Sequence, residues 1–164
     1  MLSAQQKKPD IYGANNMTFK EVDLTETITE LLISLSEDWE GESSCRGYHK
    51  NTLDDIKGNR VFLALEGDEV IAYLFGHKET AGETTSVYQA GTKYFEIEEL
   101  YVKPQFRSRG IGKGLFRYVE SEVANHVDMI TLSTATKNFR AILHFYIDEL
   151  GMEFWSARLF KKIR

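Results

Sequence analysis

The chain has 164 residues and a formal charge of −5 at pH 7, with 42% hydrophobic and 12% aromatic residues. That length suits one ordinary domain, the apolar content is too high for a disordered chain, and the acidic balance argues against a general binder of phosphate backbones. Cys45 stands alone, so no disulfide can close within the chain, and His49, His77, His126 and His144 lack paired metal-ligand spacing. No structural metal is expected.

No apolar run approaches the roughly 18–20 residues of a membrane span, and the first ten residues lack the apolar stretch of a secretory signal. The expectation is a cytoplasmic protein without a membrane partner. Residues 1–16 are polar and read as a flexible arm, leaving residues 17–164 as a single domain. Residues 17–22 alternate as a half-buried strand. Asp23 or Thr25 can then cap a helix over residues 25–35, with Ile28, Leu31, Leu32 and Leu35 on one face. An acidic stretch broken by Gly41 and Gly47 follows, and residues 51–56 can form a short helical turn.

Residues 61–65 and 70–75 flank Glu66-Gly67-Asp68-Glu69 as a hairpin. The polar residues 77–93 are a loop or a hairpin extension, and residues 94–102 alternate strongly before Pro104. A glycine-rich turn at residues 107–114 opens a helix with Ile111, Leu115, Val119 and Val123 on one face. Residues 129–133 form a short strand. Residues 138–150 form a helix that Gly151 ends, and residues 152–155 and 158–162 are two last strands. This order predicts an α+β (mixed α/β) fold with helices on both faces of the sheet.

The turn Arg107-Ser108-Arg109-Gly110-Ile111-Gly112-Lys113-Gly114 sits between a strand and a helix. Glycines let backbone N–H groups converge there, the helix N-terminus adds positive potential, and three cations crowd the turn. Diphosphate is the ligand that suits it. The phosphate motif GxxxxGK[ST] fails because Arg107 stands at its first glycine and Gly114 follows Lys113. The dinucleotide motif GxGxxG fails because Leu115 stands at its last glycine. The chain's acidity and the lack of aromatics within the turn speak against nucleic acid as its ligand.

Arg107-x-x-Gly110-x-Gly112 resembles the [QR]xxGx[GA] pattern of the GNAT superfamily of N-acetyltransferases, and Glu99-Leu100-Tyr101-Val102-x-Pro104 before it is similar to the preceding strand of that family. Asn138, Ala141, Phe145-Tyr146 and Leu150-Gly151-Met152 resemble its downstream helix and strand, although Phe145-Tyr146 lies one residue further from Ala141 and Met152 replaces a phenylalanine. The resemblance implies a GNAT-like acyl-CoA N-acyltransferase fold, its central, mostly antiparallel, twisted sheet splayed at the middle parallel pair. It implies acetyl-CoA as donor. The pantetheine arm would lie along Leu100, Tyr101 and Val102, and the pyrophosphate against Arg107, Ser108, Arg109, Gly110, Ile111, Gly112 and Lys113. Asn138 and Phe145 would line the arm.

Acetyl transfer needs a base, because a protonated alkylamine with a pKa near about 10.4 must lose a proton before it attacks a thioester. Glu96, Glu98 and Glu99 are the strand's candidates. Strict alternation places Glu96 and Glu98 on one face and Glu99 on the other, unless a bulge shifts the phase. By resemblance to small-molecule members Glu98 ranks first, by resemblance to histone-type members Glu96 second, and Glu99 third. The backbone N–H of Leu100 or Tyr101 is the oxyanion donor candidate, and Tyr146 can protonate the leaving thiolate.

For the acceptor, Glu37, Asp38, Trp39, Glu40 and Glu42, with Glu79 and Glu83, make an acidic rim that would attract a small cationic amine such as a polyamine or aminoglycoside. The same charges also fit a plain solvated loop. A protein N-terminus or lysine is the competing acceptor, and a non-catalytic acyl-CoA sensor is the competing function. Either a monomer or a homodimer is compatible with the sequence.

Overall fold

A computed structural model describes residues 17–163, so the expected arm at residues 1–16 lies outside the described residues. Five strands form one sheet in the order β1 (Met17–Val22), β2 (Arg60–Glu66), β3 (Glu69–Thr80), β4 (Lys93–Val102) and β5 (Met129–Leu132). The first four are antiparallel, and β4 and β5 are parallel. Helix α1 (Glu26–Glu42) and the short α2 (Leu53–Ile56) lie with one face, and α3 (Ile111–Val123) covers the other. This is the α+β arrangement that the element order predicts.

Thr25 caps α1 by accepting the Ile28 N–H at 3.2 Å. The helix runs seven residues past its expected end. Trp39 continues the stripe of Leu32 and Leu35 toward the sheet, and Gly41 sits inside the last turn without stopping it. On the opposite face α3 buries Ile111, Leu115, Phe116, Val119 and Val123, each burial worth about 1.5–3 kcal/mol. Gly114 is needed there: a Cβ on it would stand 2.6 Å from Cζ of Phe19 on β1.

The polar residues after Phe75 extend the hairpin, because β3 continues to Thr80 and pairs with β4 as far as Lys93. That ladder is interrupted once. Phe75 pairs with Glu99 and Gly76 with Ile97, so Glu98 is an extra, unpaired residue. Such a bulge reverses which face the following side chains meet. Phe95 and Ile97 pack on the α3 side, and beyond the bulge Leu100 and Val102 return to that side while Tyr101 packs on the α1 side.

The helix expected at residues 138–150 is α4 (Phe139–Leu143) followed by a π-helical turn, His144–Glu149. The Leu150 N–H reaches back five residues to the Phe145 carbonyl at 3.1 Å. A π turn holds one more residue than an α turn, which is the physical counterpart of the one-residue displacement of Phe145-Tyr146. The two last strands do not form. Residues 151–163 have no regular structure and leave Phe154, Trp155, Leu159, Phe160 and Ile163 exposed. Aromatic and apolar residues favour a strand only where an edge is available to pair with it, and these residues pair with none among those described.

Candidate active site

The parallel pairing of β4 with β5 covers Tyr94 to Ile97 against Met129 to Leu132 and stops there. From Glu98 to Val102 strand β4 keeps only β3 beside it, and a gap opens on its other edge. The segments that follow α1 and β5 pair with each other. The Arg46 N–H donates to the Ala135 carbonyl at 2.9 Å, and the Lys137 N–H to the Ser44 carbonyl at 2.8 Å. Leu100, Tyr101 and Val102 therefore have a backbone edge free of β5.

The glycine turn follows a 3-10 turn, Pro104–Phe106, that brings the chain round to α3. Ser108 (φ 60°) and Gly110 (φ 76°) adopt the left-handed conformation. The first bond of α3 runs from the Gly114 N–H to the Gly110 carbonyl at 2.9 Å, so the N–H groups of Ile111, Gly112 and Lys113 precede it and are open to an anion. A Cβ on Gly112 would meet Phe145 Cζ at 3.4 Å, Val102 Cγ2 at 3.6 Å and Leu100 Cδ2 at 3.7 Å. Four of the expected cofactor residues thus converge on one spot. The backbone donors of the turn, with the apolar side chains of Leu100, Val102 and Phe145 beside them, suit a diphosphate followed by a pantetheine arm.

Two of the turn's cations are neutralised by distant carboxylates. Arg107 donates to both oxygens of Glu42 at 2.8 Å and through Nε to the Val102 carbonyl at 2.8 Å. Arg109 pairs with Glu66. Lys113 makes no ion pair among the described residues. Asn138 precedes α4 and donates its N–H to Thr136 Oγ1 at 3.2 Å.

Beside the bulge lies an open cleft of about 630 Å³ whose lining includes Asn51, Asp55, Asn59, His77, Glu79, Glu98 and Glu99. Because Glu98 is the bulge residue, it and Glu99 share this cleft instead of pointing to opposite sides of the sheet. Glu98 is half exposed, with Oε1 3.6 Å from His77 Nδ1, and Glu79 Oε1 lies 3.3 Å from His77 Nε2. Glu99 is 9% exposed. Its Oε2 accepts from the Tyr73 hydroxyl at 2.6 Å and from Asn51 Nδ2 at 2.9 Å. Burial pushes the Glu99 carboxyl above the usual carboxylate range, and the bonds from Tyr73 and Asn51 only partly oppose it.

Glu96 does not line the cleft; its carboxylate accepts from the Thr131 hydroxyl on β5. Tyr146 lies in the π turn against Phe145 and Phe116, on the α3 side of the sheet. Burial, with a smaller contribution from nearby Cys45, pushes its phenol up to about 12, so it stays protonated at neutral pH. Sequence reasoning passed over Asn51, Asn59, Tyr73 and His77 because isolated polar residues carry no spacing signal. For Glu99 a signal exists: apolar residues fall at 95 and 97, then at 100 and 102, a change of parity that marks the bulge.

The sequence profile of the Acetyltransferase (GNAT) family matches residues 27–152. The chain belongs to the GNAT acetyltransferase family. Among solved structures it is similar to the aminoglycoside N-acetyltransferase AAC(6')-Iy in complex with CoA, at 17% identity and a TM-score of 0.64 over 94% of this chain and 99% of that one. It is similar at 15% identity and a TM-score of 0.63 to the aminoglycoside acetyltransferase meta-AAC0020 from an uncultured soil metagenomic sample, in complex with sisomicin, over 91% and 97% of the two chains. A transcriptional regulator from Bacillus halodurans C-125 is similar at 22% identity and a TM-score of 0.64, over 90% and 99%. At these identities the structures establish a shared fold. No curated protein sequence matches the chain.

Proposed function

We propose that this protein transfers the acetyl group of acetyl-CoA to a primary amine of a small cationic molecule, polyamine-like or aminoglycoside-like. The observation that carries this reading is the meeting of two half-sites on β4. The free edge at Leu100, Tyr101 and Val102 leads to the glycine turn, and Glu98 and Glu99 line a cleft in which they and Asp55 and Glu79, four carboxylates, stand against Lys57 and Lys78. Carboxylates grouped in a cleft raise the local concentration of a cation and hold its ammonium groups. Acetyl-CoA supplies the acetyl group as an activated thioester, held by the backbone of residues 100–102, the turn from Arg107 to Lys113, Asn138 and Phe145.

Glu98 is the carboxylate best placed to meet the ammonium, being half exposed on the cleft wall, and it takes the proton that frees the amine lone pair. Glu96, held by Thr131, is the second carboxylate on the strand for this role. The N–H of Leu100 or Tyr101 is the donor for negative charge developing on the carbonyl oxygen. The Tyr146 hydroxyl gives its proton to the departing thiolate. A cytoplasmic setting suits the lone Cys45 thiol, and the protein acts as a monomer or homodimer.

The test is calorimetric titration with acetyl-CoA followed by thiol release in the presence of polyamines, aminoglycosides and short peptides. Release with the first two classes and not with peptides is the expected result. Release with peptides alone gives the acceptor role to a protein N-terminus or lysine. Binding without release from any amine would make the chain an acyl-CoA sensor.

A further inference from the structure

The polar loop between β3 and β4 is more ordered than a connection needs to be. The Ala81 N–H donates to the Thr92 carbonyl at 2.9 Å and the Gly91 N–H to the Ala81 carbonyl at 2.7 Å, which closes the base of the loop. Further out, Thr85 Oγ1 accepts the N–H groups of Val87 and Tyr88 at 3.2 Å. The Thr85 N–H donates to the Tyr88 carbonyl at 2.8 Å, and Thr84 Oγ1 accepts the Ala90 N–H at 3.1 Å. These bonds fix Tyr88. Its ring stacks on Tyr94 of β4 with centroids 5.3 Å apart and planes 13° from parallel. Trp155 packs near-perpendicular to Tyr88 with centroids 5.5 Å apart, and its indole N–H donates to Ser86 Oγ at 3.1 Å.

Tyr88 and Tyr94 line a cavity of about 430 Å³ whose other walls include Thr80, Glu83 and Thr85. Glu83 is the only charged side chain among the described residues that line it. Lys57 and Lys78 stand in the cleft beside the bulge, and neither reaches this second cavity. The two spaces adjoin: Glu79 lines the cleft and is the cross-strand partner of Tyr94, and such partners share a face of the sheet. A carboxylate beside aromatic rings suits an ammonium group, because the ring faces are negative and Glu83 adds a full charge. Tyr94 and the bulge residue Glu98 are four residues apart on β4, about 13 Å at roughly 3.3 Å per residue. An extended alkyl chain with bonds of about 1.5 Å advances about 1.25 Å per bond, so the nitrogens of 1,8-diaminooctane stand about 11 Å apart and those of putrescine about 6 Å. Glutamate and tyrosine side chains are long enough to take up the difference for the first and not for the second.

We propose that the cavity of Tyr88, Tyr94 and Glu83 holds the distal ammonium of a linear polyamine whose near amine is acetylated at Glu98. The chain then selects acceptors whose ammonium groups lie about 11 Å apart. The inference rests on the acetyl-transfer reading and narrows its acceptor from cationic amines in general to long linear ones. The distal ammonium forms no covalent bond and gives up no proton. It is held equally before and during the reaction, so its contribution falls on KM and leaves kcat alone.

The experiment is thiol release from acetyl-CoA by the full chain with putrescine, 1,6-diaminohexane, 1,8-diaminooctane, spermidine and 1-aminooctane as acceptors. From putrescine to 1,8-diaminooctane kcat/KM should rise about fivefold or more, through KM. Spermidine, whose terminal nitrogens have the same spacing, should match 1,8-diaminooctane. The monoamine 1-aminooctane has the same carbon chain without the distal charge and should show no such gain. Glu83→Gln and Tyr88→Ala should each bring the ratio of 1,8-diaminooctane to putrescine below about twofold. Glu83 is exposed, so Glu83→Gln keeps the test decisive where Tyr88→Ala disturbs the loop. A wild-type ratio near one, an equal gain with 1-aminooctane, or a ratio that Glu83→Gln leaves intact overturns the inference and leaves acetyl transfer standing. Absence of thiol release with every amine removes the reading beneath it. Calorimetric titration with the two diamines then decides the cavity by itself: equal affinities overturn it, and a preference for 1,8-diaminooctane that Glu83→Gln abolishes supports it.

Discussion

Gly76 lies where the bulge crosses between β3 and β4, and Gly76→Ala tests whether that crossing sets both fold and site. A Cβ there would collide with the backbone carbonyl of Glu96 and stand 2.9 Å from Cε1 of Phe95. Neither neighbour can yield cheaply, because the carbonyl belongs to the central strand and Phe95 is fully buried. The strands must separate locally. Overpacking of this kind costs about 1–3 kcal/mol. Losing two ladder hydrogen bonds adds about 1 kcal/mol each. The expected loss is therefore about 3–5 kcal/mol, a large share of the about 5–15 kcal/mol that stabilises an ordinary domain. Urea unfolding followed by far-ultraviolet circular dichroism measures it, with Gly41→Ala as the opposite control. Gly41 sits inside α1 with nothing within 4 Å of a new Cβ, so alanine should stabilise the protein by up to about 1 kcal/mol. The folded fraction of Gly76→Ala should also lose acetyl transfer before it loses acetyl-CoA binding, since the same crossing presents Glu98 and Glu99 to the cleft. A loss below about 1 kcal/mol would refute the close approach of the two strands at this point.

Three further outcomes follow from the site. Gly112→Ala should bind acetyl-CoA nearly as the wild type does, because its Cβ meets neighbours at 3.4 Å or more, whereas Gly112→Trp should abolish the calorimetric signal. Glu98→Gln should lower kcat by about 100-fold or more with acetyl-CoA affinity unchanged. A rate within about threefold of wild type would remove Glu98 from the mechanism. The third concerns stability. Glu99 has a folded pKa raised above its unfolded value, so its contribution is fully present below the ordinary glutamate range and is lost as pH rises through the raised value. Wild-type stability should carry this decline between acid and neutral pH, and unfolding free energies of Glu99→Gln across the same window should lack it.

Much of the fold could be read from residue patterns because its elements obey a single period. The stripe Ile111, Leu115, Val119 and Val123 could only be a helix face, and it is the buried face of α3. The hairpin around Gly67 and the alternation of β1 were equally legible, since each repeats one spacing against one neighbour. The C-terminal residues show the converse. Their short apolar runs, Phe154-Trp155 and Leu159-Phe160, suggest strands but do not specify an edge to pair with, and no strand forms there. Length was also hidden where polar residues belong to regular structure. The extension of β3 through His77 and Lys78 is held by the ladder to β4 and not by apolar alternation.

The glycine turn was legible as a strand-to-helix turn, and the carboxylates only as a set. Glycine and helix-start signals are local, so Gly110, Gly112 and Lys113 announce an anion cradle without tertiary knowledge. Which glutamate enters the cleft depends instead on the phase of β4, and that phase slips by one residue at Glu98. The π turn at His144–Glu149 is a second slip of the same kind, and it carries Phe145 and Tyr146. Each is a one-residue insertion into a regular element, visible in sequence only as a spacing that fails to fit its period. Such insertions cost backbone hydrogen bonds and gain nothing in packing by themselves, so they persist where re-aiming a side chain has a use. Here one lies at the wall of the cleft that Glu98 and Glu99 line, and the other packs Phe145 and Tyr146 against the α3 side of the sheet. Under the proposed function, acetyl transfer falls between these two slips, one on β4 and one in the chain after β5.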